Sequence, residues 1–170
     1  MIARNETIFK WALYAGAALL CILVQGALLQ RMTILGVLPF VYPLLAAIPA
    51  TYEDPVPGTI FALAAGVFCD LLLPGPIPCF YTLTFPLVGL ACSLLSKSLL
   101  PAGFLCSAVA GAIAFLVVDL SRCLLLWLTA RPAWSPALLL MVREFCVTLP
   151  LVIPVTLLFR RVFLRTHLDD

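Results

Sequence analysis

Residues 66–90 read GVFCDLLLPGPIPCFYTLTFPLVGL: an almost unbroken apolar run holding one carboxylate, Asp70, then two Gly/Pro-rich steps before the chain turns apolar again. Such a stretch reads as the end of one membrane span, a tight turn and the start of the next. The acid is the anomaly. A charged side chain at a helix centre in a bilayer costs on the order of 2.5–3.5 kcal/mol on insertion scales, so Asp70 has to face protein or water.

Working outward, the rest of the chain is equally apolar. Of 170 residues, 64% are hydrophobic and 11% charged, against roughly 45–50% and ~25% in soluble domains. A chain this short has too little interior to hide that much apolar surface, so the excess faces lipid. The fold class is therefore all-α: a polytopic membrane protein, one integral membrane domain over residues 1–170. Ten Lys/Arg against eight Asp/Glu, scattered along the chain, exclude a nucleic-acid surface. The seven cysteines, Cys21, Cys69, Cys79, Cys92, Cys106, Cys123 and Cys146, are single and unpaired in spacing. They read as small hydrophobes, with no metal, disulfide or cofactor expected. The first apolar run, about Trp11 to Leu29, is longer than the ~7–15-residue core of a signal peptide and reads as a retained span.

Counting about 20 apolar residues per crossing gives six spans, roughly 9–29, 34–52, 57–73, 79–96, 101–129 and 136–162. Gln30-Arg31, Glu53-Asp54-Pro55, Pro74-Gly75-Pro76, Lys97 and Arg131-Pro132 separate them. Pro39, Pro43 and Pro49 should bend or break the second, and a re-entrant second segment would reduce the count to five. With both termini on one side, that side holds Arg4, Lys10, Lys97, Arg160, Arg161 and Arg165, and the other only Arg31 and Arg131. Six against two predicts cytoplasmic termini. Trp11, Tyr42, Tyr52, Trp127 and Trp134 fall near predicted interfaces, where aromatic rings anchor helices.

Five ionisable residues lie inside spans: Asp70, Asp119, Arg122, Arg143 and Glu144. Taking ~1.5 Å per residue, all five fall in the outer half of the membrane. Asp119 and Arg122, three apart, share a helix face and can pair. The expectation is one intramembrane polar layer, or partner pocket, joining spans three, five and six. Two ladders of small residues support it: Gly58, Ala62, Gly66 leading to Asp70, and Gly103, Ser107, Gly111 leading to Asp119. Small residues at that spacing let membrane helices approach closely. The same pattern also reads as a plain packing seam with no ligand. Two membrane aspartates invite comparison with intramembrane aspartic peptidases, but neither has Asn-containing neighbours, and Arg122 would hold Asp119 ionised. The one histidine, His167, lies in the tail. No enzymatic activity is expected.

The pattern as a whole resembles the MreD rod-shape-determining family. The matching features are Gly66-Val67-Phe68-Cys69-Asp70, the Pro/Gly turn, an aromatic-containing span with Gly89 and a basic close at Lys97. An acid in the fifth span at Asp119, Val142-Arg143-Glu144 through Leu149-Pro150, and a final run closed by Arg160-Arg161 complete it. The chain departs at Ile77-Pro78, where the family commonly has Leu-Gly. The resemblance implies a non-catalytic membrane component of the bacterial cell-wall elongation (rod) complex, in the cytoplasmic membrane. Its implied partners are an MreC-like single-span protein, a RodA-type glycosyltransferase, a penicillin-binding transpeptidase, the MreB filament and membrane lipids. It also implies a six-helix fold similar to the substrate-binding subunits of energy-coupling-factor transporters. A vitamin-capturing subunit of such a transporter is accordingly the alternative reading.

Overall fold

Proline decides how the chain crosses between its first two turns. Pro39 disfavours helix just before it, and Pro49 removes a helical hydrogen bond wherever a helix includes it. In the computed structural model residues 36–41 carry no helix, and one starts only at Tyr42. The structure describes residues 2–33, 36–73, 75, 77–101, 103–130 and 134–166, with side chains described except at 2–6, 129–130 and 134–138. The side chains of Arg4, Arg131, Trp134 and His167 thus lie outside the described residues.

The elements are α1 (Ile2–Ala27), a 3-10 turn at Leu29–Arg31, α2 (Tyr42–Tyr52), α3 (Pro55–Leu72) and α4 (Phe80–Ser98). Then come α5 (Phe104–Ala130), α6 (Trp134–Thr148), a 3-10 turn at Leu149–Leu151 and α7 (Val152–Thr166). No strand occurs among the described residues. Five stretches are long and apolar enough to cross a membrane: Thr7–Arg31, Pro55–Leu72, Phe80–Ser98, Phe104–Leu128 and Leu139–Thr166. The last is broken by the 3-10 turn around Pro150 rather than being one smooth helix. Each long helix turns large apolar side chains outward, for example Leu23, Ile60, Leu83, Leu116, Leu140 and Ile153.

Residues 34–52 are not the continuous span read from the sequence. The 11 residues of α2 reach only about 16 Å. The segment nevertheless returns to the end of the bundle where α1 begins, because Lys10 Nζ on α1 pairs with Glu53 Oε2 at 2.8 Å. Tyr52 meets the Phe163 ring of α7 at that same end, with centroids 5.3 Å apart. Asp54 pairs there with Lys97 at the close of α4. The hydrogen bond from Lys97, helped by its charge, holds the exposed Asp54 carboxyl below its ordinary range. One end of the bundle therefore gathers the starts and finishes of five elements, α1, α2, α3, α4 and α7.

All ten residues from Tyr42 to Thr51 are buried. A helix apolar on every side has to be surrounded, and α2 packs against α3, α4, α5 and α7. Tyr42, expected at an interface, is instead part of this core at 3% exposure. A short buried helix leaves unsatisfied groups at both ends, and side chains from other helices meet them. At its start, Gln25 of α1 donates from Nε2 to the Pro39 carbonyl (2.7 Å) and accepts from the Val41 N–H (3.1 Å). The Thr148 hydroxyl of α6 accepts from the Phe40 N–H at 3.1 Å. At its finish, Ser93 and Ser96 of α4 donate to the carbonyls of Ala50 (2.7 Å) and Thr51 (2.6 Å).

The small residues of α3 do what their spacing suggests. Gly58, Ala62 and Gly66 are buried against α2 and α4. A Cβ at Gly66 would lie 2.5 Å from the Tyr81 carbonyl oxygen and 3.0 Å from Thr82 Cα; one at Gly89 would lie 2.6 Å from Ala62 Cβ. In α5, Ser107 and Gly111 are buried, and a Cβ at Gly111 would meet Leu44 of α2 at 3.0 Å. Gly103 differs: it precedes α5, and a Cβ there would approach only its own loop at Pro101 O, 3.7 Å away. The ladder simply outruns the helix.

Gly66→Ala should lower the melting temperature of the detergent-solubilised protein, at a cost of about 1–3 kcal/mol, because rigid backbone blocks the methyl. Gly16→Ala on α1, with nothing within 4 Å of the added atom, should hold or raise it. Equal losses in both variants would contradict this packing.

Candidate functional site

The purpose of Asp70 is visible in the first turn of α4. That helix begins after Cys79, whose backbone is left-handed (φ 60°) and whose side chain makes no cap. Its first N–H groups would otherwise be orphaned. Asp70, near the end of α3, accepts from the Tyr81 N–H at 3.0 Å through Oδ1. Its Oδ2 takes the Thr82 N–H at 2.7 Å and the Thr82 hydroxyl at 2.6 Å. A carboxylate here also complements the positive end of the helix dipole. Asp70 is thus an N-cap supplied by the neighbouring helix, stitching α3 to α4 across the Pro/Gly turn. Gly66, one turn earlier, lets the two backbones come close enough for it.

Tyr81 carries the connection onward. Its hydroxyl bonds Arg122 Nη2 of α5. The guanidinium lies over the Phe40 ring at 4.7 Å and near the Tyr81 ring at 5.6 Å, a cation–π arrangement worth about 0.5–2 kcal/mol. Arg122 Nη1 stands 3.8 Å from Asp119 Oδ1 on the same helix and 3.8 Å from Glu144 Oε1 on α6. One cation therefore ties together α4, α5, α6 and the non-helical segment before α2. Asp119 and Glu144 are 5% and 8% exposed. Neither carboxylate accepts a hydrogen bond from any described residue; Arg122 reaches them only at ion-pair range. Both line a cleft of about 320 Å³ between α5 and α6, with Arg122, Cys123, Leu126, Leu140 and Met141. A second cleft of about 290 Å³ shares Asp119 and Met141 and runs on along the same seam past Phe115 and Val142.

Of the five residues singled out from sequence, the structure joins Asp119, Arg122 and Glu144 directly and links Asp70 to them through Tyr81. Arg143 stands apart. It is exposed, and no described residue pairs with it. Consecutive helical residues point about 100° apart, so Glu144 facing inward turns Arg143 out. Sequence reasoning passed over Gln25, Phe40, Tyr81 and Thr148. Gln25 carried a signal, since a lone amide in an apolar run needs a partner on the same grounds as an acid. No cluster of residues suited to a metal occurs among the described residues. Comparison with protein-family models, curated proteins and solved structures finds no match.

Removing the lone cation from a buried ion cluster leaves its acids uncompensated, at a cost of about 3–5 kcal/mol, whereas loss of Asp119 still leaves Glu144 opposite Arg122 and costs less. Asp119→Leu should therefore lower the detergent melting temperature more than Asp119→Asn, whose amide still offers a polar neighbour to Arg122. Arg122→Leu should be worse than Asp119→Asn, leaving two carboxylates without a cation. Identical melting curves for the Asp119 pair would contradict the cluster's structural role.

Proposed function

We propose that this chain is an MreD-like, non-catalytic membrane component of the bacterial cell-wall elongation complex. It sits in the cytoplasmic membrane with both termini inside and scaffolds an MreC-like single-span protein together with the peptidoglycan synthases. The observation that carries this reading is how the chain uses the motif on which the resemblance rests. Gly66 and Asp70 join α3 to the start of α4, which takes up both carboxylate oxygens. An acid spent in this way supports architecture rather than chemistry. The gathering of Lys10 and Lys97 at one end of the bundle supports placing that end at the cytoplasmic face. The six passages, five by long helices and one by the broken segment ending in α2, suit a fold like that of the vitamin-capturing transporter subunits, which is the second reading.

In a rod-shaped host that carries it, deletion of the gene should give rounded cells of irregular width, and the tagged chain should co-purify with a single-span partner. Cells that keep their rod form, together with a vitamin retained at near-unit stoichiometry by the purified protein, would establish the transporter reading instead.

A further inference from the structure

Two features of α6 lack a full set of partners among the described residues. Arg143 is a cation within a membrane-crossing stretch, exposed on the outer surface and paired with no described residue. Such charges are costly unless partnered. One residue on, Glu144 faces the cleft between α5 and α6, where two carboxylates share the single guanidinium of Arg122. That guanidinium is already committed on its other side to Tyr81 and Phe40. The cluster carries formally one negative charge too many, and open space of about 320 Å³ adjoins both acids.

We propose that two copies of this chain associate through α5 and α6, each inserting Arg143 into the other's Asp119–Glu144 cleft. The two surfaces are complementary in formal charge: a cation paired with no described residue against a cleft in which two acids share one guanidinium. They also match in depth without adjustment. Arg143 and Glu144 are adjacent in sequence, so a twofold axis along the membrane normal brings the partner's Arg143 to the level of Glu144. The contact is isologous, the commonest way in which identical subunits pair. The apolar surroundings fit a membrane interface: Leu139, Val142 and Cys146 are exposed around Arg143, and Leu126, Leu140 and Met141 border the cleft. The guanidinium would supply the hydrogen bonds that neither carboxylate receives from a described residue. This pairing is independent of the scaffold reading and fails or survives separately from it.

The test is energy transfer between donor- and acceptor-labelled full-length chains in phosphatidylcholine liposomes. Wild-type chains should associate, and Arg143→Leu should weaken association about tenfold or more, the scale of a charged hydrogen bond. Because Arg143 is exposed, its loss should leave the monomer's melting temperature unchanged or higher. The double variant Asp119→Asn/Glu144→Gln should weaken association similarly. Mixing it with Arg143→Leu should restore part of the signal, since one cleft and one arginine remain intact across that pair. Association of Arg143→Leu at the wild-type level would overturn the proposal. So would wild-type chains that stay monomeric at high density, or a mixture no better than its components.

Discussion

In a bilayer every backbone N–H and C=O must find a partner within the protein, because lipid offers none. This chain breaks that economy at residues 36–41 and repairs the break with side chains. Gln25 serves one carbonyl and one N–H, Thr148 serves the next N–H, and Ser93 and Ser96 close the other end of α2. The repair dictates the arrangement around it. It requires α1, α4 and α6 to converge on a helix too short to cross by itself, and that helix becomes the centre on which the others pack. Asp70 follows the same rule at the start of α4, where a left-handed residue before the helix offers no cap of its own.

The charged cluster extends this logic from backbone to side chains. Arg122 lies where the non-helical segment, α4, α5 and α6 meet, and its aromatic neighbours Phe40 and Tyr81 come from the segment and the helix start that the caps hold in place. The polar groups therefore form a connected path from Asp70 through Tyr81 to Arg122 and the two acids. Buried charge of this kind adds little net stability when complete and costs much when incomplete. The seam between α5 and α6 is loosely packed, with clefts on both sides of Met141.

Much of this was legible in the sequence. Hydrophobic run lengths give six crossings, five of which are stretches long enough to span, and the three prolines mark the second as irregular. The four-residue spacing in α3 identifies the face turned toward α4, because every member lies within one helix. The parallel ladder in α5 fails at Gly103 because spacing alone does not say where a helix begins. Arg143 and Glu144 point about 100° apart on a helix with one face outward, and nothing local says which of the two turns in. The caps of α2 were not legible: Phe40 and Thr148 are 108 residues apart, and nothing local to either names the other.

Amide hydrogen exchange at Phe40 and Val41, in lipid nanodiscs, tests most directly whether side chains sustain the buried break. Both amides should exchange as slowly as those within α2 in the wild type, and Gln25→Leu should accelerate Val41 selectively while Phe40, held by Thr148, changes less. Fast exchange at both sites in the wild type, matching the exposed turn at Gly36, would contradict the account.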